Sequence, residues 1–168
     1  MIKSKGWDWK IVKDDIDCPW KIPSVESYYL LNRWENLNFK NFLDLGCGLG
    51  RHTVLFAKNG FNVSGFDISK EGIKKTKEWL KNLDLKADLK VGDMLDLPYE
   101  NEYFDCILCR NVISHLDTEG VKQIIKELYR VLKNNGECYL TLGSKSTWGF
   151  KQDSWPLVDE NTRLRMEE

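Results

Sequence analysis

Phe42-Leu43-Asp44-Leu45-Gly46-Cys47-Gly48-Leu49-Gly50-Arg51 is the stretch that decides how this chain folds. Asn41 to Leu45 reads as a short apolar strand. It runs into glycines at 46, 48 and 50, and Arg51 to Asn59 follows as a helix stopped by Gly60. Glycines at alternate positions leave bare backbone for a ligand to touch, and the next helix directs its free N–H groups at the same place. Taken alone, such a turn has a plainer reading as a tight strand-to-helix connection that needs small residues.

The neighbouring elements repeat the pattern. Upstream, Ser24 to Leu37 reads as a helix capped by Ser24, with Tyr28, Leu31, Trp34 and Leu37 on one stripe. Downstream, Phe61 to Phe66 is a strand ending at Asp67, and Ser69 caps a helix reaching Asn82 with Ile73, Thr76, Leu80 and Leu83 on one side. Leu89 and Val91 mark a third strand ending at Gly92-Asp93, and Tyr103 to Cys109 is a fourth. Asp117 or Thr118 caps a long helix whose core face is Val121, Ile124, Ile125, Leu128 and Leu132, with Asn134-Asn135-Gly136 ending it. Glu137 to Leu142 is a fifth strand. Alternating strands and helices predict an α/β fold with a doubly wound parallel sheet. Ligands of such sheets sit beyond the carboxyl ends of the strands. Asp44 and Gly46, Asp67, Asp93 and Asn111 all fall there.

The bulk properties exclude some partners. The chain has 168 residues, suited to a single domain, and a net charge of −1 from 25 basic and 26 acidic residues. That balance gives no general attraction to nucleic acid or anionic lipid. No apolar run approaches the roughly 20 residues of a membrane span, and the lysine- and tryptophan-bearing start has no apolar signal core, so a cytoplasmic location is expected. Cys106 and Cys109 spell C-x-x-C, but residues three apart on a strand face opposite sides. Two buried thiols are expected there rather than a metal or redox pair, and no metal site is expected.

Asp67 lies about 20 residues beyond the glycines, where an acidic group holds ribose hydroxyls in dinucleotide folds. Its alternative role is capping the helix near Ser69. The loop itself is G-x-G-x-G, one residue short of the dinucleotide fingerprint G-x-G-x-x-G. Asp44, directly before it, suits a ligand carrying an ammonium and a sulfonium better than a pyrophosphate.

At this point the sequence resembles the class I S-adenosylmethionine-dependent methyltransferases, in particular their small-molecule group. Residues 42–50 match the family's first motif, and Val63-Ser64-Gly65-Phe66-Asp67-Ile68-Ser69 matches the second. Gly92-Asp93-Met94, Leu97-Pro98 and Phe104-Asp105 match the third and fourth. The resemblance covers roughly 41–143 and implies a Rossmann-like sheet of strand order 3-2-1-4-5. It implies S-adenosylmethionine as cofactor, with Gly46, Cys47, Gly48 and Gly50 against the methionine part and Asp44 helping to hold it. Asp67 would take the ribose diol and Asp93 the adenine amino group, with Ile68 and Met94 packing the adenine. Asn111 would line the sulfonium end. Arg110 sits beside it, with a side chain long enough to point either way.

His115, four residues past Asn111, is the candidate general base, with packing or capping near Asp117 as its alternative. His52 and Asp105 are expected to be structural. Residues 1–37 are expected to form a cap segment, with Trp34 in the core and Trp20, Tyr28 or Tyr29 facing an acceptor pocket. Residues 144–168 show no clear pair of alternating strands, so the family's last two strands are expected to be missing. That would leave the fifth strand as an open edge available to a second copy. The expected activity is methyl transfer to a small-molecule acceptor. The alternatives are a non-catalytic S-adenosylmethionine-binding module or subunit needing a partner, and a nicotinamide-dependent oxidoreductase, which the glycine spacing disfavours.

Overall fold

The computed structural model describes residues 7–10, 12, 18–147 and 150–163. The main sheet has five strands in the order β3-β2-β1-β4-β5. They are β1 (Asn41–Leu45), β2 (Asn62–Asp67), β3 (Asp88–Val91), β4 (Phe104–Cys109) and β5 (Leu132–Leu140). All pairings within it are parallel. The helices are α1 (Val25–Asn36), α2 (Arg51–Lys58), α3 (Lys70–Asn82) and α4 (Thr118–Val131). The expected fold class and strand order are those observed.

Side-chain alternation along the strands splits the core in two. Phe42, Val63, Cys106 and Leu108 face α1 and α2, where Trp34, Phe56 and Phe61 complete an aromatic cluster. Leu43, Leu45, Phe66, Ile107 and Cys109 face α4 and its Ile124, Leu128 and Val131. Cys106 and Cys109 therefore lie on opposite faces of β4, as a spacing of three on a strand dictates. Burial pushes both thiols up, and the thiol of Cys138 up to about 12. No group of His, Cys, Asp and Glu able to hold a metal occurs among the described residues.

Helix α1 is tied across the sheet through its last turn. Ser24 makes no side-chain cap. Instead Glu137 on β5 accepts from Trp34 Nε1 at 2.9 Å and from Arg33 Nε at 2.8 Å. The buried stripe is Ser27, Leu30, Leu31 and Trp34, so Leu37 and Tyr28 leave the expected face. Asp105 ties the first residue of β1 to β4: its Oδ2 accepts from the backbone N–H of Lys40 and Asn41, while Oδ1 accepts from Lys133 Nζ.

Caps begin the two later long helices as expected, with Ser69 Oγ accepting from Gly72 N–H and Asp117 Oδ1 from Gly120 N–H. Several boundaries differ. α4 stops at Val131, before Asn134-Asn135-Gly136, because Leu132 already pairs with Phe104 and the chain then bulges before Glu137 rejoins β4. Ile125 is exposed, and Val131 takes the core position instead. Leu83 is also partly exposed, just past the end of α3.

The C-terminal part contains a hairpin that the sequence pattern did not reveal. β6 (Leu157–Asp159) and β7 (Thr162–Arg163) pair antiparallel as a separate sheet. Strands of three and two residues are too short to show a period of two. Asp159 holds the turn by accepting from Asn161 N–H, and holds it against α4 by accepting from Thr118 N–H. Among the described residues β5 has no strand on its outer side. Among the described residues no helix is long and apolar enough to cross a membrane. Trp148 lies outside the described residues.

Candidate functional site

The carboxyl ends of β1, β2, β3 and β4 meet along one rim, with the glycine turn at its centre. Gly46 and Gly48 have φ of +73° and +55°, a region that side chains with a Cβ rarely enter. A Cβ on Gly46 would stand 2.2 Å from Val112 Cγ2, which shows how closely the segment after β4 approaches this turn.

Four N–H groups of the turn are bonded inside the protein. Gly46 and Cys47 both donate to Phe66 O, at 2.7 and 3.1 Å, and Gly50 donates to Cys47 O. Gly48 donates to Asp67 Oδ2 at 2.8 Å. The N–H groups expected to be free are those of the first turn of α2, of which Thr53 N donates to Asp44 Oδ2. A pyrophosphate needs such donors. What the rim offers instead is carboxylate.

Asp44 is buried at the base. Its Oδ2 accepts from Thr53 N at 2.8 Å and Thr53 Oγ1 at 2.6 Å. Burial pushes its pKa up to about 6, the two Thr53 bonds offsetting part of the penalty. Its Oδ1 lies 4.0 Å from His52 Nδ1. His52 is itself buried, and Nε2 accepts from Ser24 N–H, so the proton of the neutral ring belongs on Nδ1. Burial, with Arg51 and Arg110 nearby, brings the pKa of His52 down to about 3. It is neutral at neutral pH and has an edge on the cleft beside the glycine turn.

Asp67 fills the capping role weighed for it. Its Oδ1 accepts from Ser69 N–H at 2.7 Å at the start of α3, yet the residue also lines the cleft. Burial raises its pKa, against the pull of the Ser69 and Gly48 N–H groups.

Two cavities flank the turn. One, of about 90 Å³, is lined by Phe66, Asp67, Ile68, Gly92 and Met94 on the strand ends, with Asn111 and His115 at its other side. The second, of about 170 Å³, is lined by Asp44, Gly46 to Leu49, Arg51, Arg110, Asn111 and His115, while Gly50, expected at the cofactor, lines neither cavity. Trp7 and Trp9 wall both. The structure thus brings nearly all the expected cofactor residues to one cleft. Asp93 lies between two lining residues and accepts from Leu95 N–H through Oδ1, but does not itself line the cavities. Asn111 has φ of +59°, tolerated best by Gly and Asn, and is held there by Thr141, whose Oγ1 accepts from Asn111 N at 2.7 Å. His115 is exposed and borders both cavities.

On the acceptor side one expectation fails. Tyr28 and Tyr29 are 52% and 67% exposed and line neither cavity, because α1 buries the 27-30-31-34 face instead. Trp20 does line the second cavity, packed edge-on against Trp9 at 5.6 Å. Sequence reasoning missed Trp9 itself. Its ring lies where a Cβ on Gly48 would be, and Lys75 Nζ on α3 donates to Trp9 O at 2.9 Å. No motif announces such a contact. A tryptophan-rich start was the only signal. Thr141 and Arg51 were missed too, the first because it acts through Asn111.

Comparison with known proteins agrees with this geometry. Residues 42–136 match the family model described as a methyltransferase domain. The chain belongs to the class I S-adenosylmethionine-dependent methyltransferases. Over 95 residues, this methyltransferase chain is 37% identical to norajmaline N-methyltransferase of Rauvolfia serpentina, covering 55% of this chain and 32% of that protein. Over 133 residues it is 32% identical to demethylmenaquinone methyltransferase of Lactobacillus johnsonii, covering 69% and 52%. The crystal structure of an S-adenosylmethionine-dependent methyltransferase from Methanosarcina mazei matches with a TM-score of 0.57 and 32% identity, over 60% of this chain and 50% of that one. The chain thus spans about a third to a half of the length of these relatives.

Proposed function

We propose that this protein transfers a methyl group from S-adenosylmethionine to a small-molecule acceptor. The observation that carries the reading is the chemistry of the rim. The N–H groups of Gly46, Cys47, Gly48 and Gly50 are already bonded, while the carboxylates of Asp44 and Asp67 border the cleft. That suits a ligand with a positively charged end and a ribose diol, and disfavours a dinucleotide. The donor set fits the cofactor along its length. Ile68, Met94 and Phe66 form an apolar slot for a base, and Asp67 has lone pairs left for hydroxyls beyond the N–H groups it already accepts. Asp44 carries negative charge for an ammonium.

The cofactor supplies a methyl group on a cationic sulfur, which needs no covalent help from the protein. The residues orient and exclude water. Orientation of this kind contributes roughly 7–11 kcal/mol to a bimolecular step. Asn111, fixed by Thr141, and His115 border both cavities, at the place where donor and acceptor would meet. His115 takes the acceptor's proton where the acceptor carries one. The relatives' names include norajmaline N-methyltransferase and demethylmenaquinone methyltransferase, which supports a small-molecule acceptor.

Calorimetry with S-adenosylmethionine, S-adenosylhomocysteine and NAD tests the cofactor, and binding of NAD alone would sink the reading. A screen of acceptors with tritiated donor tests turnover. His115→Ala is expected to slow transfer about 10²-fold or more while leaving cofactor affinity unchanged. Equal turnover removes His115 as the base.

A further inference from the structure

One face of α4 holds the loop between β3 and β4 along its length. Gln123, Glu127 and Arg130 follow one another at helical spacing, and each is partly buried on the flank of the α4 core stripe. Gln123 Nε2 donates to Leu95 O at 3.4 Å. Glu127 Oε2 accepts from Leu97 N–H at 2.9 Å. Arg130 donates to Leu97 O at 2.9 Å through Nη2 and to Tyr99 O at 2.7 Å through Nη1, while Nη2 also donates to Glu127 Oε2 at 2.7 Å. The loop therefore runs alongside α4 in the same direction, every second residue meeting the next turn. The lengths agree: a helical turn rises about 5.4 Å, and two extended residues span about 6.6 Å. Within the loop the bonds are short-range, from Leu95 N–H to Asp93 Oδ1, from Asp96 N–H to Asp93 O and from Tyr99 N–H to Leu97 O.

The near end of that loop meets the cleft. Met94 lines the smaller cavity together with Ile68, and Asp93, expected at the amino group of the base, precedes it. Leu97 is buried in the core and fixes one point of the loop. A single apolar anchor leaves the chain free to pivot about it, whereas polar contacts at 95, 97 and 99 fix its direction as well. Such contacts are directional and costly to lose where water cannot replace them. We propose that Gln123, Glu127 and Arg130 are positioning residues for the base end of the cofactor, acting through the main chain of residues 95–99 to hold Asp93 and Met94 in place. The competing account is that buried Leu97 alone places the loop and the α4 contacts serve only stability. The assignment rests on the methyltransferase reading of the cleft and deepens it, because recognition of the base then depends on a helix that lines neither cavity.

The experiment uses the full chain as wild type, Arg130→Met and Arg130→Lys. S-adenosylhomocysteine and S-inosylhomocysteine, which carries an oxygen where adenine has its amino group, are titrated by calorimetry. Hydrogen exchange follows the amides of residues 93–101. Wild type is expected to prefer S-adenosylhomocysteine by about tenfold or more. Arg130→Met should cut that preference by about threefold or more and speed exchange at Leu97. Arg130→Lys keeps a cation beside Glu127 and can reach one carbonyl, so it should recover part of the preference. A purely structural role would lower the thermal midpoint and weaken both ligands equally, with the preference intact, and that result overturns the proposal. A wild type without preference overturns it too, since the loop then does not read the base. If Arg130→Met does not fold, Gln123→Ala/Glu127→Gln removes one contact and the charge from a second. It is expected to cut the preference by about threefold, and an unchanged preference overturns the proposal. A wild type that binds neither compound fails the methyltransferase reading, and the assignment falls with it; an unchanged preference in the variants fails the assignment alone.

Discussion

The two sides of the cleft are built differently. The strand-end side is made of backbone turns locked by hydrogen bonds: Gly46, Cys47 and Gly48 to β2, Asp44 to Thr53, Asn111 to Thr141. The opposite side is made of side chains laid over it. Trp7, Trp9 and Trp20 lean on one another, and Lys75 holds the carbonyls of Trp9 and Val12. The first side places atoms to a fraction of an ångström because secondary structure determines it. The second can shift as a unit, because few of its groups are buried.

The largest expected effect is on the fixed wall. Gly46→Val puts a β-branched side chain at positive φ and onto Val112, and should cost about 3 kcal/mol or more of stability by urea denaturation. A variant as stable as wild type would show that the turn has room to relax, and the contrast with the tryptophan wall would fall. Next is Asp67→Ala. It removes a candidate diol acceptor and orphans the N–H groups of Gly48 and Ser69, so cofactor affinity should fall by about 1–3 kcal/mol. Unchanged affinity would leave Asp67 with its capping role alone.

A pH titration sharpens the comparison further. With its folded pKa raised to about 6, Asp44 is largely neutral at pH 5 and largely ionised at pH 7. A cationic ligand prefers the ionised form, so affinity for S-adenosylmethionine should rise about tenfold between those pH values. Asp44→Asn should flatten the profile. His52 acts on stability rather than on affinity. Its folded pKa near 3 lies below the usual value, so the unfolded chain takes the proton first and stability is lost as pH falls from about 6.5 towards 3. The smallest expected effect is on the adjustable wall. Trp9→Ala should change stability by no more than about 1 kcal/mol while opening the space over Gly48 and speeding cofactor association in stopped-flow fluorescence. A much larger loss of stability would make the tryptophan wall part of the core.

The same division decides what could be read in the sequence. Strand ends follow from periodicity and turn chemistry, so Asp44, Asp67 and Asn111 were found from local pattern. The adjustable wall depends on how a distant segment folds back. Trp9 meets Gly48 across 39 positions, a contact that no spacing rule encodes. Tyr28 and Tyr29 were misplaced for a related reason. On a helix carrying Tyr28, Tyr29, Leu30 and Leu31 in succession, apolarity alone does not choose the buried stripe, and the Trp34–Glu137 bond does. The β6–β7 hairpin was too short for any pattern.

The central position of β1 has a consequence for how the molecule comes into being. Phe42 stands beside Val63 on one side and Cys106 on the other, so β1 must capture a neighbour about 20 residues away and another more than 60 away. Closing loops of that length is what makes parallel sheets fold slowly. Asp44 has no acidic companion at the rim until β2 arrives, and no Asn111 opposite until β4 does. A half-made chain therefore holds the glycine sequence but no pocket, and cofactor binding can serve as a signal that the last of these pairings has formed.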